Sequence, residues 1–239
     1  MGASVQRNSE VPHKVPNSTD VAGHIFVDFD GTIAIDDTTL LLLERFAGPS
    51  WRLIEERWEA GEIGSRDCLS QQIDLLRALP EEIDAALDGV TVDSTFSDLV
   101  GFASQNHMNV TVISDGLDRS VTQILGRMHA DLPVFANTLE WLGKDRWRVH
   151  FPNWHHECRS ISGHCKCATV SSSKANFRVL IGDGRSDFCA AETVDLVFAK
   201  GRLANYCEQN ALPYYAFTDF AQSMDVILNH IDEASLVEG

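Results

Sequence analysis

Two aspartates that directly follow an apolar run are the residues of this chain whose types and spacing most clearly suggest chemistry. Asp28 and Asp30 come after the run 24–27, and Gly31 follows them. A continuous apolar run predicts a buried β-strand, so both carboxylates should stand where that strand gives way to a loop. Carboxylates placed in this way can share a metal ion, while one attacks and the other handles a proton. The spacing therefore suggests phosphoryl chemistry.

A second acidic pair follows another predicted strand. Residues 177–181 are apolar except for Arg178, and they lead into a glycine-containing turn that holds Asp183 and Asp187. Ligands of open parallel sheets bind beyond the carboxyl ends of the strands, so this pair should meet Asp28 and Asp30 there. Four carboxylates in one place repel each other unless a cation holds them, and ligands that are all oxygen favour a hard ion such as Mg²⁺.

The turn Ser114-Asp115-Gly116 follows a third predicted strand, residues 110–113. Its hydroxyl group and the backbone N–H groups of Asp115 and Gly116 stand close to the start of a predicted helix. Groups of this kind bind phosphate oxygens. Acidic residues, serine and glycine are common in turns that have no function, so one such turn alone indicates little. Three such turns that all follow apolar strands indicate one site.

The elements that must position these residues alternate between strand and helix. From about residue 94 onward, this alternation predicts an α/β fold with a Rossmann-like, doubly wound parallel sheet, including a hairpin around Gly143. Residues 38–86 show helical spacing without a strand signal, which predicts about four helices inserted as a cap. The predicted division is a disordered leader over 1–22, a core over 23–35 and 108–235, and a helical cap over 36–107.

Composition narrows the classes of partner. The formal net charge is −16 over 239 residues, so the chain should repel nucleic acid and anionic membranes, and an anionic substrate needs a local cation. The longest aliphatic run, residues 40–43, is too short to span a bilayer, and no export signal is visible. The six cysteines are then expected to be reduced thiols in the cytoplasm. We expect no nucleic acid or membrane partner, and a monomer or homodimer.

With these residues in view, the chain resembles a phosphatase of the haloacid dehalogenase superfamily. The resemblance spans about residues 25–220, and the helical insert lies where the family's first type of cap sits. An acid two residues after the nucleophile separates the family's phosphatases from its dehalogenases, and Asp30 occupies that position. The four motifs that carry the resemblance are Asp28-Phe29-Asp30-Gly31-Thr32, Ser114, Lys166, and Gly182-Asp183 with Asp187.

The resemblance implies a role for each matched residue. Asp28 would attack phosphorus and form an aspartyl phosphate, and Asp30 would act as general acid and then as general base. Ser114 would donate to a phosphoryl oxygen, and Lys166 would neutralise the charge of nucleophile and phosphate. Lys174 is the alternative lysine, but it leaves no room for a helix before the fourth motif.

The resemblance also implies a Mg²⁺ site and a place for substrate selection. The Asp28 carboxylate, the Asp30 carbonyl and Asp183 would bind Mg²⁺, with support from Asp187. In related phosphoserine phosphatases, an acid nine residues after the nucleophile faces the substrate, and Asp37 holds that position here. The other substrate-binding candidates are Arg66 in the cap, the phosphate-binding turn 114–116, and the rim residues Asp118, Arg119 and Arg185.

The substrate class is predicted as a small phosphorylated metabolite. The Cys-Lys-Cys context of Lys166 and the run 182–191 favour a phosphatase of methionine salvage, with phosphoserine phosphatase as the alternative. Phosphoserine phosphatases usually have Ser-Gly-Gly in the second motif, where this chain has Ser114-Asp115-Gly116. A phosphoryl-transfer mutase would use the same aspartate pair.

A segment rich in cysteine and histidine provides a non-enzymatic alternative, a metal or redox module. It contains three histidines and three cysteines within thirteen residues, which invites a zinc site. However, the spacing Cys-x₆-Cys-x-Cys lacks the usual Cys-x₂₋₄-Cys knuckle, so reduced cysteines packed beside the lysine are the simpler interpretation. The residues concerned are His155, His156, Cys158, His164, Cys165 and Cys167.

Overall fold

A seven-stranded sheet organises the molecule. The computed structural model describes residues 23–237, with side chains up to residue 231, so the predicted leader 1–22 lies outside the described residues. The sheet order is β4-β3-β2-β1-β5-β6-β7, and all neighbours are parallel except β3 and β4, which form the predicted hairpin. The strands are β1 (Gly23–Val27), β2 (Met108–Leu117), β3 (Val134–Trp141), β4 (Trp147–His150), β5 (Arg178–Gly182), β6 (Leu196–Ala199) and β7 (Tyr215–Ala216). This arrangement confirms the predicted doubly wound sheet.

Helices cover both faces of this sheet. They are α1 (Thr38–Phe46), α2 (Trp51–Glu59), α3 (Ser65–Ile73), α4 (Pro80–Leu87), α5 (Phe96–Gln105), α6 (Asp118–Arg127), α7 (Lys166–Ser171), α8 (Phe188–Ala191), α9 (Gly201–Gln209) and α10 (Phe220–Val237). Within the described range, none of them is long and apolar enough to cross a membrane.

Alternating side chains of β1 explain how the two faces are packed. Ile25 and Val27 belong to one large apolar cluster, which also includes residues of α1, α3, α4 and α5. Phe26 points to the other face, where it packs with Leu180 and residues of α7, α8 and α9. A strand whose successive side chains are all buried is covered on both sides, as its continuous apolar run predicted.

The helices α1 to α4 form the predicted helical insert between β1 and β2. The next helix, α5, packs on β2 and α10, and Phe96 lies edge-on to Phe220 with ring centroids 5.2 Å apart. The division into a core and a cap of residues 36–107 stays a prediction.

One predicted strand end is wrong. β2 does not stop at Ile113 but continues to Leu117, through a stretch where its register with β3 shifts. Ser114, Asp115 and Gly116 are therefore part of an irregular strand end rather than a free turn. Such a bulge re-aims side chains at the edge of a sheet, here toward the carboxyl end of β1.

Candidate active site

The strand register brings the predicted catalytic residues to one edge of the sheet. Val27, the last residue of β1, pairs with Ile181 on one side and with Val112 on the other. Asp28 follows Val27 directly, and its backbone N–H continues the ladder by donating to the Ile181 carbonyl at 2.9 Å. Asp183 lies two residues beyond Ile181, and Ser114 lies two residues beyond Val112. Parallel pairing alone thus places both beside Asp28.

A buried lysine links two of these carboxylates. Lys166, the first residue of α7, is fully buried, and its Nζ lies 2.7 Å from Asp28 Oδ1 and 2.7 Å from Asp187 Oδ1. Burial lowers the pKa of Lys166, but the charges of Asp187 and Asp28 more than offset this and raise it. The ammonium group therefore stays charged at neutral pH. Lys174, the alternative lysine, is exposed and lies by a separate cavity beside His24.

Three carboxylates at this edge could hold a metal ion. One oxygen each from Asp28, Asp183 and Asp187 lie within 4.8 Å of one another. Burial, and then the charge of Asp187, raises the pKa of Asp28 and raises that of Asp183 to about 6. One lysine cannot balance three carboxylates, so two negative charges remain for a cation. This all-oxygen donor set fits a hard divalent ion.

Asp30 is held in place by the start of α1. Its Oδ1 accepts hydrogen bonds from the backbone N–H of Thr38 at 2.7 Å and from the Thr38 hydroxyl at 2.6 Å. Burial, and then the charge of Asp37, raises the pKa of Asp30 to about 7. At neutral pH this carboxyl group is therefore balanced between donating and accepting a proton. Thr38 was not among the predicted site residues, although its place directly after the helix-capping Asp37 could have suggested it.

The irregular end of β2 supplies a hydroxyl group and a position that requires glycine. Ser114 is buried and lies at the wall of the cavity described below, and its Oγ accepts a hydrogen bond from the Gly116 N–H at 2.9 Å. A Cβ at Gly116 would lie 2.4 Å from Asp30 Oδ2, so this backbone can approach the acid only without a side chain.

Asp115 joins the end of β2 to the segment that leads into α7. Its Oδ1 accepts a hydrogen bond from the His164 N–H at 2.8 Å, and its carbonyl accepts one from Asn137 at 2.7 Å. Burial raises the pKa of Asp115 to about 6. These contacts hold the backbone two residues before Lys166. Asn137 and His164 are thus supporting residues whose roles were not predicted from the sequence.

A cavity of about 420 Å³ opens above this group of residues. Asp28, Ser114 and Asp183 line its floor, while Asp37 caps α1 at its side by accepting from Leu40 N at 2.9 Å. The wall opposite comes from the helices between β1 and β2. Its side chains are Leu40, Glu55, Trp58, Cys68, Leu69 and Gln72.

Two arginines at the cavity mouth hold the helical insert against the part of the molecule that contains the sheet. The Trp58 ring centroid lies 5.0 Å from the guanidinium carbon of Arg185 and 5.5 Å from that of Arg202. Arg185 also donates to the Trp58 carbonyl at 3.2 Å, and Arg202 pairs with Glu59 at 2.9 Å. Trp58 and the two arginines therefore close one side of the cavity.

Three other candidates lie elsewhere. Arg66 is not among the residues that line the cavity; its guanidinium lies 4.8 Å from the Trp154 ring centroid. Arg119 makes two hydrogen bonds to the Asp84 carboxylate and so ties α6 to α4. Asp118 accepts from Leu139 N at 2.9 Å. Each of these three charged side chains thus has a partner within the protein, so none of them requires a substrate as its partner.

The chain is similar in sequence to named phosphatases. No family model matches the chain. A 2-hydroxy-3-keto-5-methylthiopentenyl-1-phosphate phosphatase from Bacillus mycoides (strain KBAB4) is 29% identical over 222 residues, covering 89% of this chain and 98% of the relative. The protein of the same name from Bacillus cereus (strain AH187) is 28% identical over 223 residues, with the same coverage. These relatives confirm the resemblance that was predicted from the four motifs.

Solved structures show the same fold. A phospho-aspartyl intermediate analogue of phosphoserine phosphatase superposes with a TM-score of 0.65 at 20% identity, covering 85% of this chain and 97% of that one. A probable phosphoserine phosphatase from Vibrio cholerae gives a TM-score of 0.66 at 19% identity, covering 93% and 68%. The chain is therefore similar in sequence to these named phosphatases, and it shares its fold with phosphoserine phosphatases.

Proposed function

We propose that this protein hydrolyses a small phosphomonoester through an aspartyl phosphate on Asp28. The observation that carries the proposal is the pairing of the Asp28 carboxylate with the fully buried Lys166 at the floor of a cavity. An aspartate held in this way is oriented by a fixed cation and faces the space where a phosphoryl group would enter. The ammonium charge also offsets the repulsion between the carboxylate and the phosphate.

The residues around Asp28 supply the proton transfer and the binding of the phosphoryl group. Asp28 attacks phosphorus while Asp30 protonates the leaving alkoxide, and Asp30 then takes a proton from the water that hydrolyses the aspartyl phosphate. The Ser114 hydroxyl and the Gly116 backbone lie beside Asp30, where they bind and orient the phosphoryl oxygens.

Mg²⁺ is the proposed cofactor. Asp28, Asp183 and the Asp30 carbonyl would hold the ion, which when bound would polarise the phosphoryl group and neutralise its charge. Asp187 has both oxygens engaged, one by Lys166 and the other by the N–H groups of Gly184 at 3.1 Å and Asp183 at 3.3 Å. Its part is therefore to support the site, as the sequence analysis proposed.

Replacement of Asp30 is expected to affect substrates according to their leaving group. In Asp30→Asn, an alkyl phosphate should be hydrolysed about a hundredfold more slowly, because its alkoxide must be protonated as it leaves. An aryl phosphate needs no such proton, so it should give a stoichiometric burst of phenol followed by slow turnover of the aspartyl phosphate. Stopped-flow absorbance measures the burst. Asp36→Asn, which changes an exposed acid six residues away, is the matched control.

The substrate proposed first is 2-hydroxy-3-keto-5-methylthiopentenyl-1-phosphate, on which the sequence relatives are named as acting. The cavity supports a substrate with an apolar tail because Leu40, Trp58 and Leu69 line its wall. Phosphoserine would require a cation for its carboxylate. Both arginines at the mouth already contact Trp58, and Arg202 is also paired with Glu59.

A panel of phosphorylated metabolites tests the proposal. We expect Mg²⁺-dependent phosphate release that is fastest with the methylthio enol phosphate and lost when EDTA removes the ion. A higher kcat/KM for phosphoserine would replace the proposed substrate with the alternative. Isomer formation without phosphate release would identify a mutase, and no turnover of any phosphomonoester would contradict the proposal.

Free cysteines and the net charge are the basis for the proposed location and partners of the protein. All six cysteines are free, which supports a reducing compartment such as the cytoplasm. The net charge of −16 supports a protein without nucleic acid or membrane partners. That it acts as a monomer or homodimer stays a prediction.

A further inference from the structure

One acid in the cavity wall has no part in the proposed catalysis. The acidic side chains that line the cavity are Asp28, Asp30, Asp37, Glu55, Asp115 and Asp183. Three of them supply the nucleophile, the proton transfer and the metal ligands. Asp115 holds the backbone before α7, and Asp37 caps α1. Glu55, which belongs to α2, is therefore the one acid of this set that the chemistry at the cavity floor does not use.

Two side chains of α3 hold Glu55 in place. Gln72 Nε2 donates to Glu55 Oε2 at 2.8 Å, and the Cys68 thiol donates to the same oxygen at 3.8 Å. Cys68 and Gln72 are four residues apart on one helix, so they face the same neighbour, and they are 5% and 3% exposed. Burial, and then the charge of Glu55, raises the pKa of Cys68 to about 12, so this thiol stays a donor. The orientation of the Glu55 carboxylate is thus fixed by buried groups.

The other oxygen of Glu55 is left for a ligand. In the part of the chain that the structure describes, Oε1 accepts no hydrogen bond, and no lysine or arginine forms an ion pair with Glu55. The two arginines that line the same cavity are held against Trp58 at its mouth. The carboxylate of Glu55 therefore acts on whatever enters the cavity.

The charge of Glu55 also acts on Asp37 at the start of α1. Burial raises the pKa of Asp37, and the charges of Glu55 and Asp183 add to that rise. Two helices of the insert thus present acids to the same space. A negative wall without a free cation favours groups that donate hydrogen bonds and disfavours a second carboxylate.

We propose that Glu55 binds a hydroxyl group in the organic part of the substrate and excludes phosphomonoesters that carry a carboxylate. The inference rests on the proposed phosphatase function and deepens it by naming the substrate class. Glu55 Oε1 accepts the hydrogen bond, and Gln72 is a positioning residue that directs this oxygen into the cavity. No covalent bond changes at this place, so the effect is one of specificity.

A matched pair of esters tests the proposal. sn-Glycerol 3-phosphate and 3-phosphoglycerate differ only in that a CH₂OH group of the first is a carboxylate in the second. For the wild type, kcat/KM should be about thirtyfold or more in favour of the glycerol ester, because it donates to Glu55 where the other ester is repelled.

Glu55→Gln should change the two rates in opposite directions. Glutamine keeps the size of the side chain and one acceptor oxygen but removes the charge. We expect kcat/KM to fall about tenfold for glycerol 3-phosphate, which loses a charged acceptor, and to rise about tenfold for 3-phosphoglycerate, which is no longer repelled. A merely structural role of Glu55 would lower both values by the same factor.

Variants of two neighbouring positions complete the design. Glu56→Gln changes an exposed acid of the same helix and should leave both kcat/KM values as in the wild type. Gln72→Met keeps a similar volume but removes the donor that holds Glu55 Oε2. It should move the ratio of the two kcat/KM values in the same direction as Glu55→Gln, by about threefold, because the carboxylate remains but is less well oriented.

Wild-type measurements alone can overturn the proposal, so a variant that fails to fold does not remove the test. Equal kcat/KM for the two esters would contradict the role of Glu55, as would an unchanged ratio in Glu55→Gln. A higher kcat/KM for phosphoethanolamine than for glycerol 3-phosphate would also contradict it, because the bound donor would then be an ammonium group.

Turnover of p-nitrophenyl phosphate separates this inference from the proposed function. Hydrolysis of the aryl ester without discrimination between the matched esters would refute only the role of Glu55. If the wild type released phosphate from none of these esters, the proposed hydrolysis would itself be wrong, and the role of Glu55 with it.

Discussion

Asp28→Asn is expected to lower the rate of phosphate release by about 10⁴-fold or more, with the fold intact. Asparagine keeps the size and one oxygen of the side chain but is not a nucleophile, so no aspartyl phosphate can form. The folded protein should not be destabilised. Asp28 is a buried carboxylate whose pKa is raised by burial and by the charge of Asp187, so removing its charge also removes an electrostatic cost.

Two measurements separate loss of the nucleophile from loss of a metal ligand. Rapid acid quench followed by peptide mass spectrometry should find a phosphorylated Asp28 in the wild type and none in Asp28→Asn. Mg²⁺ titration should show that saturating metal does not restore the rate. If the variant recovered more than a tenth of wild-type activity at high Mg²⁺, Asp28 would be a ligand only, and the proposed intermediate would be wrong.

The layered fold could be predicted because local sequence and tertiary environment agree. The apolar runs of β1 and β5 require cover on both faces, and only a parallel sheet between helices provides it. The end of β2 could not be predicted in this way. The residues from Ser114 to Gly116 look like a turn in the sequence, but β2 continues to Leu117 because it pairs there with β3. Local sequence patterns do not reveal pairing between distant segments.

The candidate site was predictable wherever a residue lies just beyond the paired part of a parallel strand. Asp28, Ser114 and Asp183 meet because parallel register fixes the ends of β1, β2 and β5 at one edge. Residues positioned by the packing of one helix on another were harder. Arg66 was expected at the cavity but lies over Trp154, while Arg185 contacts Trp58.

Lys166→Met is expected to reduce the rate on an aryl phosphate by about 10³-fold and the free energy of unfolding by about 3–5 kcal/mol. Methionine fills a similar volume, so packing is largely retained. The loss arises because Asp28 and Asp187 remain, buried and facing each other, without the ammonium group that lies 2.7 Å from both. Urea unfolding with and without Mg²⁺ measures the effect, and Mg²⁺ should partly restore stability by supplying positive charge.

The pH dependence of that loss provides a further check. A buried carboxylate whose pKa is raised in the folded state takes up a proton on folding as the pH falls, and its destabilising charge then disappears. The stability difference between Lys166→Met and wild type should therefore be smaller at about pH 5 than at about pH 7.5. A loss that came only from packing would be the same at both pH values.

Lys174→Met is the matched control because it removes the same charge from an exposed position of the neighbouring segment. It should keep wild-type activity and stability, since a solvated lysine contributes little to either. Lys166→Arg should not rescue activity, because the larger guanidinium cannot occupy a fully buried place shaped for an ammonium group. If Lys174→Met abolished activity while Lys166→Met kept it, the roles assigned to the two lysines would have to be exchanged, and the close contact between Lys166 and Asp28 would be structural only.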